Sequence, residues 1–174
     1  MIIRGKLIVY QAFTVLSFLT VKVCYAQDYP PLSFGDQDLL QTSIYTVNPF
    51  RFGVFYPGYT GGSITLSEDG MRTSTGTVVI LHQGIVGPAV FEITTAASTM
   101  IQLNYENEIH LTSSTGASLL LVPGELSRGN PFISPPDAES GFMVTLGGTI
   151  EISGSTQNPP GEYSGTLQVS IVVE

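Results

Sequence analysis

The sequence predicts an all-β fold, an antiparallel β-sandwich of two sheets. After residue 43, apolar residues recur at a period of two almost everywhere, and no window of a dozen residues shows the 3.6-residue period of a helix. Short runs rich in Val, Ile, Thr and Tyr alternate with clusters of Gly, Pro, Ser, Thr and Asn. Because a sheet with one apolar face must cover that face, we expect a second sheet to pack over the first.

The predicted strands follow one another at short, regular intervals. In chain order they are Ile44–Val47, Arg51–Phe55, Ser63–Ser67, Thr75–Leu81, Ala89–Thr95, Met100–Tyr105, Glu108–Thr112, Ser118–Val122, Phe142–Leu146, Thr149–Ser153 and Tyr163–Val173. Between them, Glu68-Asp69-Gly70 predicts a hairpin turn with Gly70 at positive φ. Gly87-Pro88, Pro123-Gly124 and Pro159-Pro160-Gly161 are expected to stop pairing, because Pro supplies no ladder donor.

The alternation also predicts which side chains form the core. One face of each strand is apolar, and the expected core members are Ala89, Phe91, Ile93, Phe142, Val144, Leu146, Ile150, Ile152, Leu167, Val169, Ile171 and Val173. The pair Gly147-Gly148 interrupts one of these rows and predicts a bulge or a tight turn. Ser127 to Gly141 carries three Pro and little periodicity, which predicts a long surface loop.

Residues 1–26 have the pattern of an export signal. Arg4 and Lys6 precede the apolar stretch Leu7–Val21, and Cys24-Tyr25-Ala26 offers small residues for cleavage after residue 26. A membrane anchor is the alternative, but this stretch is shorter than the ~20 residues that cross a bilayer, so no membrane span is expected after cleavage. The sequence therefore predicts an exported protein at the cell surface, in the periplasm or in the medium.

The rest of the chain divides into an N-terminal extension, residues 27–43, and a sandwich domain, residues 44–174. Residues 27–174 contain all fourteen Asp and Glu but three cations, Arg51, Arg72 and Arg128, which gives a formal charge of −11. A surface this negative repels polyanions, so neither nucleic acid nor an acidic membrane face is an expected partner. The one Cys precedes the cleavage point, so the core alone must stabilise the mature domain.

Two stretches carry a family resemblance. Phe52–Gly58, followed by Gly61–Ser67 and Asp69–Thr73, resembles the opening of a bacterial exported family called domain of unknown function 4402, and Gly161–Thr166 resembles its closing strand. The similarity covers about residues 44–174. The same pattern is more distantly similar to spore-coat-U-like and chaperone–usher pilin domains, although this chain lacks the Cys pair of many pilins. The resemblance implies an immunoglobulin- or pilin-like sandwich and transfers no catalytic or binding residues.

The last predicted strand has an edge that must be paired. Between Ser164 and Val173 the chain has no charge and no Pro, the features that blunt an exposed edge. Its partner is either a strand of the same domain or an extended segment of a neighbour, added by β-augmentation. In the second case the N-terminal extension is the expected donor, with Leu40, Thr42, Ile44 and Thr46 alternating along it. The predicted partner is then a second copy or another envelope protein.

No catalytic, cofactor-binding or metal-binding residue is predicted, and the protein is not expected to be an enzyme. Residues 27–174 have no Cys, no G-x-S-x-G motif and two His, His82 at an expected strand end and His110 on a solvent face. A calcium site is a weaker alternative that rests on Asp36-Gln37-Asp38 and Glu106-Asn107-Glu108. Paired glycosidase carboxylates are set by the fold, and the sequence names no pair.

The predicted function is a structural or adhesive role at the bacterial cell surface, as a pilus-, coat- or matrix-like subunit. The alternative is a stand-alone carbohydrate- or protein-binding module, which would use exposed aromatic residues. Phe55, Tyr56 and Tyr59 cluster in a Gly-rich turn, and Tyr105 lies beside an acidic turn. We expect Tyr56 and Tyr59 to close one end of the sandwich, with packed rings and hydrogen-bonded hydroxyls.

Overall fold

Strands account for nearly all regular structure in this protein. A computed structural model describes residues 3–9, by their backbone, and residues 41–174. The strands are β1 (Ile3–Val9), β2 (Ser43–Asn48), β3 (Arg51–Tyr56), β4 (Gly62–Leu66), β5 (Arg72–Ser74), β6 (Val79–Gly87), β7 (Ala89–Thr94), β8 (Met100–Tyr105), β9 (Ile109–Ser113), β10 (Ser118–Leu126), β11 (Phe132–Ile133), β12 (Phe142–Ile152) and β13 (Tyr163–Val173). One 3-10 turn spans Ala138–Ser140. The predicted all-β sandwich is confirmed.

The strands pair into one large sheet and a separate ribbon. The path through the sheet is β11-β8-β13-β9-β10-β12-β4-β5, with β7 attached to β12 and β2 attached to β7. β3 and β6 form the two-stranded ribbon. All of these pairs are antiparallel, whereas β1 runs parallel to β13.

β12 joins the two parts of the large sheet. Its first half, Phe142–Leu146, pairs with β7, and its second half, Gly148–Ile152, pairs with β4. The strand runs straight through Gly147, so the predicted turn is wrong. A Cβ at Gly147 would lie 2.9 Å from the carbonyl oxygen of Leu66, so glycine is needed here for close approach of two strands.

The expected bulge lies on the strand that faces this glycine pair. β10 continues past Pro123, and its register to β12 shifts between Pro123 and Leu126. The prediction that Pro123-Gly124 stops pairing is therefore wrong, because Pro is tolerated where a bulge already interrupts the ladder. A Cβ at Gly124 would lie 3.3 Å from the Gly147 carbonyl, so the two glycines pack against each other.

The core has the membership that the alternation predicts, with one exception. The predicted residues of β7 and β12, together with Leu167 and Val169, are buried, and Ile171 packs against them. Val173 is 42% exposed, because β13 runs past the edge of the core. Tyr163 is fully buried, and its hydroxyl donates a hydrogen bond to the carbonyl of Pro159 at 3.0 Å.

The hairpin between β4 and β5 forms as predicted, with Gly70 at φ +87°. The next predicted strand, Thr75–Leu81, is displaced along the chain. Thr75 and Thr77 lie in the turn after β5, where their backbone N–H groups bond to the carbonyls of Ser63 and Gly61. β6 consequently begins at Val79.

Residues 127–141 form a surface loop that contains β11 and the 3-10 turn. The Asn130 side chain donates to the Leu103 carbonyl at 2.7 Å and accepts from the Leu103 N–H at 3.0 Å, as a neighbouring strand would. The buried Ser134 hydroxyl donates to the Ala96 carbonyl and accepts from the Thr99 N–H. The predicted surface loop is confirmed in that most of these residues are exposed, but its polar side chains supply backbone partners that periodicity cannot reveal.

Candidate functional site

One edge of β13 pairs inside the domain, and the other does not. On the inner edge, Val169–Val173 pairs with β8, and Tyr163–Ser164 pairs with β9. On the outer edge, the described partner of Tyr163–Val169 is the backbone of β1, aligned residue for residue in parallel. β13 is thus the last strand that the domain itself contributes to this side of the sheet.

The ribbon forms the opposite wall of the same space. Cα atoms of β1 lie within 8 Å of Cα atoms of β3 as well as of β13. Among the described strands β3 pairs with β6 alone, so it borders β1 without a hydrogen-bonded ladder. We call the space between β3 and Tyr163–Val169 of β13 the strand groove. It has room for one extended segment, which can form a ladder with the outer edge of β13.

The wall that β13 contributes is apolar on its core side. Tyr163, Leu167 and Val169 are buried there, and the intervening Ser164, Thr166 and Gln168 are exposed. Gly165 lies against β9, where a Cβ would meet the Leu111 side chain at 2.7 Å. A strand that enters the groove therefore needs apolar residues at alternate positions.

Arg72 fixes the position of the other wall. Its guanidinium donates to the Phe52 carbonyl at 2.6 Å and to the Leu81 carbonyl at 2.9 Å, which ties β5 to both strands of the ribbon. β6 bulges beside this contact. Four of its residues, 82–85, lie opposite the single residue Gly53, between the pairs Phe52–Val86 and Val54–Leu81. Partial burial lowers the pKa of the Arg72 guanidinium, and the pairing of its N–H groups with carbonyls explains how the cation is accommodated.

The structure corrects the predicted donor segment. Ile44 and Thr46 pair with Ile93 and Phe91 of their own domain, and the Thr42 hydroxyl bonds to that of Thr95 at 2.8 Å. Ile44 is buried, which is why this stretch stays within its own sheet. Residues 27–40 of the extension, which include Leu40, and the predicted cleavage site lie outside the described residues.

The segment that does lie in the strand groove was missed at the sequence level. β1 falls within the predicted export signal, whose composition masks its strand pattern. The usable signal was the alternation of Ile3, Leu7 and Val9 with Arg4 and Lys6.

The aromatic residues of the Gly-rich turn do not pack as expected. Phe55 is buried, but Tyr56 is 55% exposed and Tyr59 is 87% exposed. The end-closing role predicted for these two tyrosines belongs instead to Tyr163, whose ring and hydroxyl are both satisfied. Tyr105 is half-buried with its hydroxyl 3.4 Å from the Gly124 carbonyl, and burial raises the pKa of this phenol.

A shallow trough of about 530 Å³ crosses the outer face of the large sheet. His110, Leu120, Glu151 and Ser63 follow one another across it on four neighbouring strands. His110 is exposed, as predicted, and its Nδ1 lies 3.4 Å from the Ser118 hydroxyl. His82 is exposed on β6, within the ribbon. No Phe, Tyr or Trp is among the described residues that line the trough.

The predicted calcium candidates gain no support from the geometry. Glu106 and Glu108 are exposed in the turn between β8 and β9, and Asp36 and Asp38 lie outside the described residues. Within residues 3–9 and 41–174, no three His, Cys, Asp or Glu side chains form a group that could hold a metal ion. The same ranges contain no helix with the length and apolar character needed to cross a membrane.

Comparison with known proteins identifies the family. No curated protein and no solved structure matches the chain. The family model described as "Domain of unknown function (DUF4402)" matches residues 42–172, from one residue before β2 to the penultimate residue of β13. The matched range includes both walls of the strand groove and excludes β1. With three quarters of its length matched, the chain belongs to the DUF4402 family.

Proposed function

We propose that this protein is an exported, non-enzymatic structural subunit of the bacterial cell surface, and that it assembles when a neighbour inserts a strand into the strand groove. The observation that carries the proposal is the outer edge of β13. Along Tyr163–Val169, the described partner of that edge is a segment from outside the family domain. Removal of the predicted signal would remove that segment.

The composition of β13 explains why an open edge would be filled. Along Tyr163–Val169, the backbone donors and acceptors that face the outer edge would be presented to water beside an apolar row. No charge or Pro interrupts β13 between Ser164 and Val173. Such an edge is a template for pairing with another chain. The same property that makes an edge prone to aggregation makes it suitable for ordered assembly.

The length of the N-terminal extension suits a donor. Residues 27–41 precede β2 and number fifteen, and an extended chain spans at most about 3.3–3.6 Å per residue. An extended segment of this length can therefore reach about 50 Å from its own domain. We expect the donor strand to come from residues 27–41 of a second copy, because residues 42–46 already form hydrogen bonds within their own domain.

The test is the mass in solution of the exported chain, measured by light scattering after size exclusion over a wide concentration range. A ladder of oligomers is expected. Thr166→Lys with Gln168→Lys should abolish the ladder, because exposed charges on an edge strand oppose strand addition. Thr65→Lys with Thr112→Lys is the matched control, since both residues are exposed on the same sheet but lie on interior strands.

A monomer at every concentration would overturn the proposal. So would a ladder that the double β13 variant and the double Thr65 and Thr112 control weaken equally, because the effect would then reflect net charge alone. A circular dichroism spectrum of each variant that matches the spectrum of the parent chain would show that the substitutions leave the fold unchanged.

A glycan-binding module is the second candidate, favoured by the exposed rings of Tyr56 and Tyr59. Aromatic faces stack on sugar rings, and these two lie on one Gly-rich turn. Titration with soluble oligosaccharides would change tyrosine fluorescence in the parent chain and less so in Tyr59→Ala. An unchanged spectrum across a broad set of glycans would argue against this candidate.

A further inference from the structure

We infer that Ile3–Val9 fills the strand groove in the precursor. Removal of the predicted export signal, residues 1–26, which we call the leader, would then open the groove for assembly. The inference rests on the proposed function and adds its regulation. The groove would be closed in the full chain and open in the processed one. The switch is hydrolysis of the peptide bond after Ala26, in which water adds across the bond to leave a carboxylate on Ala26 and an amine on Gln27.

The register of β1 against β13 carries the argument. Ile3, Leu7 and Val9 align with Tyr163, Leu167 and Val169, the three buried residues of the groove wall. The leader thus offers its apolar residues at the alternate positions that the groove requires.

The remaining positions of the leader segment match as well. Arg4 and Lys6 align with Ser164 and Thr166, which are exposed. Gly5 aligns with Gly165, where a Cβ on β13 would lie 2.8 Å from the His110 carbonyl oxygen of β9. A shift by one residue would align one cation with a buried residue, Tyr163 or Leu167, and the other with the half-buried Gly165, so the sequence favours this register.

The leader segment is a better strand than the extension that would replace it. Residues 3–9 contain no Pro and no acidic residue, whereas residues 27–41 contain two Pro and three Asp. Pro lacks the backbone donor that strand pairing uses, and Asp is depleted in strands. While it is attached, the leader is therefore expected to outcompete a neighbour's extension.

Attachment gives the leader a second advantage. Residues 10–40 connect β1 to the domain, and a tethered segment has an effective concentration in the millimolar range. Cleavage after residue 26 cuts this connection. The leader segment then competes at its free concentration, while a neighbour's extension stays covalently attached to a folded subunit.

The test compares the full chain, produced without export and therefore uncleaved, with the processed chain. Hydrogen exchange of the β13 amides between Ser164 and Val169 should be at least about tenfold slower in the full chain. The full chain should stay monomeric at concentrations where the processed chain forms oligomers. A synthetic peptide of residues 1–11, added to the processed chain, should restore the slow exchange and block assembly.

The matched control is the same peptide with Leu7→Asp, which places a charge opposite Leu167. It should have no effect on exchange or assembly. Equal β13 exchange in the two chains, or equal effects of the two peptides, would overturn the inference while assembly of the processed chain still supports the proposed function. If the peptide protects β13 but the processed chain is always monomeric, the groove accepts the leader and the proposed function fails.

Discussion

Tyr163 provides the most direct test of how the sandwich is closed. The ring is fully buried, and the hydroxyl donates to the Pro159 carbonyl at 3.0 Å. Tyr163→Phe keeps the ring and removes the donor, so it should cost about 1–2 kcal/mol, the usual cost of leaving a partly buried acceptor unpaired. Tyr163→Ala also removes the ring and leaves a cavity, which raises the expected cost to about 3–5 kcal/mol.

These costs translate into measurable shifts of the melting temperature. In a domain of this size, 1 kcal/mol lowers the midpoint by about 2–4 °C. Thermal unfolding followed by circular dichroism should therefore show a fall of about 2–8 °C for Tyr163→Phe and about 6–20 °C for Tyr163→Ala. Urea unfolding of the same proteins would give the free energies directly.

Tyr56 supplies the control at a site of the same residue type. Its ring is 55% exposed, so Tyr56→Phe and Tyr56→Ala should each change stability by less than about 0.5 kcal/mol. If Tyr163→Phe is as harmless as Tyr56→Phe, the hydroxyl has no structural role. If Tyr163→Ala costs less than about 1 kcal/mol, the ring does not close the core, and our description of this end of the sandwich is wrong.

Two further predictions concern turns at the edges of the sheet. Gly154→Ala should destabilise the protein by about 1–3 kcal/mol in urea unfolding, because the new Cβ would overlap the Tyr59 carbonyl. Gly87→Ala is the control and should cost nothing, because a Cβ there has no neighbour within 4 Å. Equal effects of the two substitutions would contradict this prediction. Hydrogen bonds from the Ser67 hydroxyl and the Met71 N–H hold the pKa of Asp69 below its ordinary value. These bonds therefore stabilise the folded protein fully at pH values above the ordinary carboxyl pKa, and this stabilisation is lost as the pH falls through the lowered pKa of the folded state. NMR titration should find that depressed pKa and show it rising in Ser67→Ala, and an unchanged pKa in the variant would refute the assignment.

Local alternation was sufficient to predict most strands and most of the core. Phe91 and Ile93 are buried because side chains two residues apart share a face, and this property needs no knowledge of the partner strand. The turn at Gly70 was likewise readable from three neighbouring residues. Features of this kind depend on contacts within a few residues of sequence.

The failures all involve partners that are distant in sequence. Pro123 is accommodated because its bulge faces Gly147-Gly148, and a reader of either stretch alone sees only a breaker. Nothing local distinguishes Tyr163 from Tyr56, since burial is set by neighbouring strands. The groove was anticipated as an unblunted edge on β13, but its second wall, β3, is positioned by Arg72, whose contacts to Phe52 and Leu81 no pattern foretells.

The position of β12 in the sheet has a consequence for the order of folding. β4 pairs with Gly148–Ile152, more than eighty positions later in the chain, and β7 pairs with Phe142–Leu146. A chain that emerges from the ribosome therefore carries several strands with unpaired edges until residue 152 has been made. Folding dominated by such distant pairings is slow. Late completion of the sheet keeps the nascent chain unfolded for longer, which is the state that the proposed export across a membrane would require.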